Sequence, residues 1–275
     1  MSQTFLGVEP TDDPHRFRLP VTNRICVGPP GNVFLFGGAG LAAGVLAAER
    51  ATGRGIVWAS AQFLSYAREG QSLDVGVSVV QAGRNVSQVG VTLAESGNTI
   101  LTVNAALGDR PGQPEAQWTP TPDMPPPDEC APWSLWPKQD GGASMNDRLE
   151  VRMLPGRYGA VPRDGTPSVD GRMRMWMRAT DDVTVDAAML AIFADYVPSA
   201  VAAAFGRPGG GNSIDNNLRV LRVVATRWVL CDVVIDAAAR GFAHGDVRLF
   251  AEDGTLMGVG SQSMIVRFVE DQRRT

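Results

Sequence analysis

Three polar side chains stand out in the second half of this chain by type and setting. Asp195 lies in Asp186-Ala-Ala-Met-Leu-Ala-Ile-Phe-Ala-Asp195-Tyr-Val-Pro198, Ser213 opens Ser213-Ile-Asp215-Asn-Asn217-Leu-Arg219-Val, and Gln262 lies in Met257-Gly-Val-Gly260-Ser-Gln262-Ser-Met264. A carboxylate can take up a proton as a general base. A hydroxyl and a carboxamide can each donate and accept hydrogen bonds, so both can orient a small polar molecule. The setting of Asp195 is the unusual part. Apolar residues cover nearly the whole circumference of the helix around it, which implies a helix buried on most sides. An acid buried there is costly unless polar partners surround it. Pro198 cannot supply the N–H that would bond the Ala194 carbonyl, so the helix is expected to kink or end beside the acid. A helix acid that turns to solvent at the kink is the alternative.

The elements around these residues repeat. Arg172 to Arg178 alternates strictly and reads as a strand. The helix at 186 to 204 follows, then strands at Ser213 to Val224, Trp228 to Ala237, Phe242 to Ala251 and Leu256 to Val266. Alternation along the first of these puts Ser213, Asp215 and Asn217 on one face. The first half runs in the same order. Short strands at Phe17-Arg-Leu and Arg24-Ile-Cys-Val come first, then a helix from Asn32, its expected cap, to Arg50. Strands follow at Ile56 to Tyr66, Leu73 to Gln81, Asn85 to Glu95 and Thr99 to Leu107. The turns Ala94-Glu-Ser-Gly97 and Ala251-Glu-Asp-Gly254 align the halves and place Ala106 opposite Gln262. The first helix has no internal acid. A buried helix followed by enough strands to wrap it, used twice, points to sheets curled around helices, an α+β architecture. The expected units are 1–110 and 145–275, joined by a proline-rich connection over 111–144. Trp118, Trp133 and Trp136 are expected to pack that connection onto the body.

Composition excludes several classes. The 275 residues are 44% hydrophobic, enough for a sizeable core, and the net charge of −4 argues against a nucleic-acid partner. The most apolar run, Val33 to Ala48, is shorter than a membrane span, and no signal peptide is expected. Three scattered cysteines, Cys26, Cys130 and Cys231, offer no metal-ligand spacing, so no metal or cofactor is expected and a reducing cytoplasm is the default. With only His15 and His244, nucleophilic triads have few candidates. The Gly38, Gly40, Gly44 spacing superficially suggests a dinucleotide loop, but four consecutive strands do not make a doubly wound sheet.

The sequence resembles the acyl-CoA thioesterase II (TesB-like) family, whose fold is the double hotdog. The resemblance is carried by Ala194-Asp195-Tyr196, Ser213-Ile-Asp215-Asn216 with Leu218-Arg219-Val220, Ala239-Arg240-Gly241-Phe242, Asp253-Gly254-Thr-Leu-Met257 and Ser261-Gln262. The first half adds Phe36-Gly37-Gly38, Phe63 to Gly70 and Gly83-Arg84-Asn85-Val86-Ser87. It implies hydrolysis of acyl-CoA to free acid and coenzyme A, with Asp195 taking a proton from water that Ser213 and Gln262 orient. It implies Gly37, Gly38, Arg240 and Gly241 at the substrate and a homo-oligomer of dimer size or larger. Backbone N–H groups near Gly37 and Gly38 can receive an oxyanion, and close packing of the helix is their other role. Arg172, Arg174 and Arg178 can meet coenzyme A phosphates. The chain departs from the family at Ala39, where a Gln is usual, at Asn216, where a His is usual, and at Ser263-Met264. A hotdog hydratase would need an Asp and His pair that His15 and His244 do not offer. A non-catalytic acyl-CoA-binding hotdog is the alternative function.

Overall fold

The computed structural model describes residues 5–28, 31–133, 144–154 and 167–268. The strands in chain order are β1 (Glu9–Pro10), β2 (Arg16–Pro20), β3 (Cys26–Val27), β4 (Phe34–Leu35), β5 (Ile56–Phe63), β6 (Ser72–Ala82), β7 (Val86–Glu95) and β8 (Asn98–Gly108). They continue with β9 (Ala131–Trp133), β10 (Leu149–Met153), β11 (Arg172–Ala179), β12 (Gly209–Ser213), β13 (Asp215–Val220), β14 (Val229–Ala239), β15 (Phe242–Ala251) and β16 (Leu256–Phe268). The helices are α1 (Gly37–Thr52), α2 (Ala187–Ala194) and α3 (Ala200–Phe205).

All strands except β3 and β4 join one antiparallel sheet in the order β1-β2-β6-β7-β8-β5-β13-β16-β15-β14-β11-β10-β9, with β12 also on β16. The sheet is two wrapped sheets joined edge to edge. Their seam is β5 on β13, where Trp58 to Gln62 run opposite Arg219 to Asp215. Each strand alternates between a buried and a more exposed side. Leu73, Val75 and Val77 of β6 and Leu101, Val103 and Ala105 of β8 point to the buried side. The seam removes two strand edges that would otherwise lie unpaired. This is the expected double hotdog.

Both helices are almost wholly buried. A helix can sink that deeply only if its side chains are small where the sheet approaches. A methyl at Gly40 would stand 2.7 Å from Leu101, and one at Gly44 would stand 3.0 Å from Val103. Ala187–Phe205 is long and apolar enough to cross a membrane, but 78% of its apolar window is buried inside the protein. It is a core helix, and this stretch rather than Val33 to Ala48 is the one with a span's length.

Three expectations change. Asn32 does not cap α1: the helix begins at Gly37 with Phe36 as its N-cap. The chain before it is drawn into extended pairing, with Leu35 N–H on the Ala67 carbonyl at 2.8 Å and Phe36 N–H on that of Ile25 at 2.9 Å. Asn32 instead accepts from Arg68 at 3.0 Å. The segment Arg24 to Val27 is only half extended, since Asn23–Ile25 forms a 3-10 turn. The described tryptophans of the connection, Trp118 and Trp133, are not packed into the core. Trp118 is 90% exposed, Trp133 is more than a third exposed, and Trp136 lies outside the described residues. Backbone carbonyls tether the connection instead. That of Pro125 accepts from Trp176 at 2.8 Å and that of Pro127 from Arg152 at 3.0 Å. Met124 and Cys130 pack into a small apolar cluster with Trp176, Trp228 and Phe250 on the outer side of the sheet.

Phe193 of α2 has no exposed surface. Phe193→Ala is expected to cost about 3–5 kcal/mol of unfolding free energy, read from urea titration.

Candidate active site

Asp195 does not turn to solvent. It is 5% exposed and stands as the C-cap of α2, where the backbone leaves helical geometry. Pro198 sits in a 3-10 turn, Val197–Ser199, and the helix resumes only at Ala200. The break expected from Pro198 therefore swings the acid sideways into the core, toward α1 and the seam of the sheet.

Four donors meet the carboxylate. Oδ2 accepts from the Gly38 N–H at 2.5 Å. Oδ1 accepts from Gln262 Nε2, from Asn216 Nδ2 at 3.2 Å and from the Ser213 hydroxyl at 3.5 Å. Gln262 Nε2 also donates to Ser213 Oγ at 2.7 Å. Two effects compete over the proton on this acid. Burial disfavours the charged form, and the four hydrogen bonds favour it. Burial wins, pushing the Asp195 carboxyl up to about 7. A base poised there can both take and return a proton near neutral pH.

The structure brings Asp195, Ser213 and Gln262 together. It adds Asn216, which simple alternation had placed on the opposite face from Ser213. The reason is a bulge. Ser213 lies opposite Met264, whereas Asn217 lies opposite Ser261, so four steps on one strand meet three on the other. Ile214 is the extra residue, and its N–H bonds the Ser263 carbonyl at 2.8 Å. A one-residue slip exchanges the faces of everything beyond it. Ser213 and Asn216 consequently both reach Asp195. Asp215 and Asn217 share the outer side, where Asn217 donates to Asp215 at 2.9 Å. Nothing in the local sequence marks a bulge at an isoleucine, so alternation could not have found Asn216; the one signal on it was that the resembled family usually has a His there.

Gly38 holds the acid with its own N–H, so that N–H is not a free oxyanion donor. Gly37 stands beside it as the first residue of α1, where the N–H has no partner within the helix. Both glycines are needed for close approach to the end of α2, and Gly37 also for close approach to the sheet, where a methyl would come 3.1 Å from Phe63 of β5. A methyl at Gly37 would come 2.8 Å from Asp195 Oδ2, and one at Gly38 would come 2.8 Å from Asp195 Cβ and 3.1 Å from Ile192 Cα.

Arg240 and Gly241 are not brought to the cluster. They form the exposed tip of the β14–β15 hairpin with φ of 55° and 81°. Gly245, which pairs with Gln262, lies four residues along β15, roughly 13 Å away at strand rise. The arginines of β11 are engaged elsewhere. Arg172 and Arg174 pair with the buried Asp232 at 2.5 Å and 3.0 Å, and Arg178 donates to Glu150 at 2.7 Å. A cavity of about 400 Å³ lined by Arg24, Arg148 and Asp181, and another of about 510 Å³ over Gly76, Gly90 and Asn104, both lie away from Asp195. Among the described residues no group of acids, histidines and cysteines is placed to hold a metal.

The family model for the acyl-CoA thioesterase C-terminal domain matches residues 127–266, and that for the N-terminal domain matches residues 28–108. A solved structure from Novosphingobium aromaticivorans, assigned as a thioesterase, is 38% identical, with 94% of this chain and 97% of that one covered at a TM-score of 0.84. An assigned thioesterase II from Thermobifida fusca is 19% identical, with 95% and 96% covered at 0.80. An acyl-CoA thioesterase II from Mycobacterium marinum is 20% identical, with 97% and 98% covered at 0.73. The last two show likeness of fold. No match is found among curated proteins.

Gly38→Ala should force α1 and α2 apart and cost about 1–3 kcal/mol of stability by urea titration. Gly55→Ala, where an added methyl meets nothing within 4 Å, serves as the neutral control.

Proposed function

Because this chain belongs to the acyl-CoA thioesterase family and is a thioester hydrolase, we propose that it cleaves acyl-CoA with a water that Asp195 deprotonates and that Ser213 and Gln262 orient. The observation that carries this reading is the convergence of Ser213 and Gln262 on one oxygen of a buried acid. Ser213 Oγ and the Gln262 amide are flexible in role, each able to donate to or accept from a water beside Asp195. The Gln262 Oε1 atom is buried without a partner among the described residues, which leaves one acceptor for that water.

In this mechanism the water oxygen attacks the thioester carbonyl carbon as its proton passes to Asp195. The carbonyl oxygen becomes an oxyanion. The Gly37 N–H at the start of α1 is the proposed donor to it, favoured by the positive end of the helix dipole. The tetrahedral intermediate collapses, the carbon–sulfur bond breaks, and the departing thiolate recovers the proton from Asp195. The products are the free acid and coenzyme A. A homo-oligomer of dimer size or larger and a cytoplasmic setting are proposed alongside, the first from the family and the second from three unpaired, buried cysteines. Light scattering that gives a clean monomer at micromolar concentration would overturn the former.

Asp195→Asn keeps shape and removes basicity. It should lower turnover about 10²- to 10⁴-fold in a thiol-release assay across a panel of acyl-CoAs, with acyl-CoA affinity largely kept. Ser213→Ala and Gln262→Ala should each reduce turnover, and their losses should not add, since both act on one water. Asp195→Asn hydrolysing at the wild-type rate would end this reading. A wild-type protein that binds acyl-CoA and never releases thiol would mark it as a binding module.

The pH dependence has a definite sign. The base must be unprotonated to accept, and burial has moved its proton affinity up to about 7. The kcat/KM should therefore be level above about pH 7 and fall about tenfold for each unit below it. A profile that stays flat down to about pH 5, as a base with an ordinary carboxylate affinity near about 4 would give, contradicts the assignment.

A further inference from the structure

Asn216 is 1% exposed, yet the mechanism above gives it no part. A buried carboxamide is an expensive choice, because both its NH₂ group and its oxygen lose water. Its Nδ2 donates to Asp195 Oδ1 at 3.2 Å. Its Oδ1 is buried without a partner among the described residues. Leu218 lies two residues on along the same face of β13 and fills its place with no exposed surface and no polar atom. An apolar side chain at 216 would pack as well and avoid the cost, so packing does not account for the amide.

The three side-chain donors onto Oδ1 differ in one respect. Gln262 Nε2 is shared between Asp195 and Ser213 Oγ, and the Ser213 hydroxyl is both donor to the acid and acceptor from Gln262. Their donor groups are therefore divided between the acid and each other, and both also face the water in the proposed mechanism. The Asn216 donor has the carboxylate as its partner and takes no part in that exchange. The bulge at Ile214 is what brings Asn216 to this face with Ser213.

Resting on the general-base reading of Asp195, we infer that Asn216 is a positioning residue, an undivided amide donor that holds Asp195 as an aligned carboxylate while Ser213 and Gln262 turn to the water. A donor to the charged form favours that form, so removing it makes the acid harder to ionise. Burial has already raised this acid, and the loss of one hydrogen bond raises it further.

The test compares wild type with Asn216→Leu, Asn216→Asp and Asp195→Asn in thiol release from octanoyl-CoA and palmitoyl-CoA, between about pH 5 and about pH 9. Asn216→Leu should move the acid limb of kcat/KM upward by about one unit, the size expected for losing a hydrogen bond to a charge. Asn216→Asp replaces the donor with a second carboxyl beside the first and should move it further. Above the limb both variants should retain activity within about tenfold of wild type, since the base itself remains. An acid limb at the wild-type pH in the variants, with activity lost equally at every pH, overturns the inference and leaves Asn216 a structural residue. Asn216→Asp is isosteric and decides alone if Asn216→Leu does not fold. The two readings fail separately. If Asp195→Asn hydrolyses at the wild-type rate, the general-base reading falls. If Asp195→Asn is inactive and the limb does not move in the Asn216 variants, only the role of Asn216 falls.

Discussion

The rest of this structure is arranged around a carboxylate held out of water. Asp195 lies where α2 breaks, and burial there would be prohibitive without donors on both of its oxygens. No single element supplies them. One comes from the first turn of α1, two from the bulged strand made of β12 and β13, and one from β16. Each donor imposes its own condition. The Gly38 N–H can approach only because glycines let α1 close against α2. Ser213 and Asn216 can both arrive only because the strand gains a residue at Ile214. The opposition of burial and hydrogen bonding then leaves an acid that changes charge near neutral pH rather than far below it.

The two repeats have divided the work. The first keeps an unbroken helix with no acid in it, and that helix offers its N-terminal N–H groups across to the second repeat. The second has a helix broken at Pro198 and carries every side chain of the cluster. Neither unit alone could complete the site, since the acid belongs to one and a donor to its carboxylate belongs to the other. The β5–β13 seam is therefore more than a way to pair two strand edges. It sets the distance between α1 and α2 on which the bond to Gly38 depends.

Elsewhere, charges and prolines serve the frame. Arg172, Arg174 and Asp232 form a pair network on the outer side of the sheet, and Arg178 pairs with Glu150 there. The buried acid in that network would be costly to strand, which ties β11 to β14. The proline-rich connection lies over the same side, with its carbonyls accepting from Trp176 and Arg152. The inner side carries the chemistry, and the outer side holds the second repeat together.

Much of this was legible in the chain itself. Strict alternation at Arg172 to Arg178, the turn residues before Gly97 and Gly254, and an apolar helix with one acid beside a proline are local patterns. Local backbone physics acts on them whatever the surroundings, so they located most strands, the repeat and the helix break, while the roles of Asp195, Ser213 and Gln262 came from the family resemblance. Other features depend on partners distant in the chain. Asn32 reads as a cap, but the carbonyls of Ala67 and Ile25 draw the next residues into extended pairing and delay the helix to Gly37. Gly38 reads as an oxyanion donor, yet an acid 157 positions later occupies its N–H. Alternation puts Asn216 and Ser213 on opposite faces, until pairing with β16 inserts a bulge between them. A strand's period is a property of its own residues, but its register belongs to the pair, and only the folded sheet decides which side chains share a face.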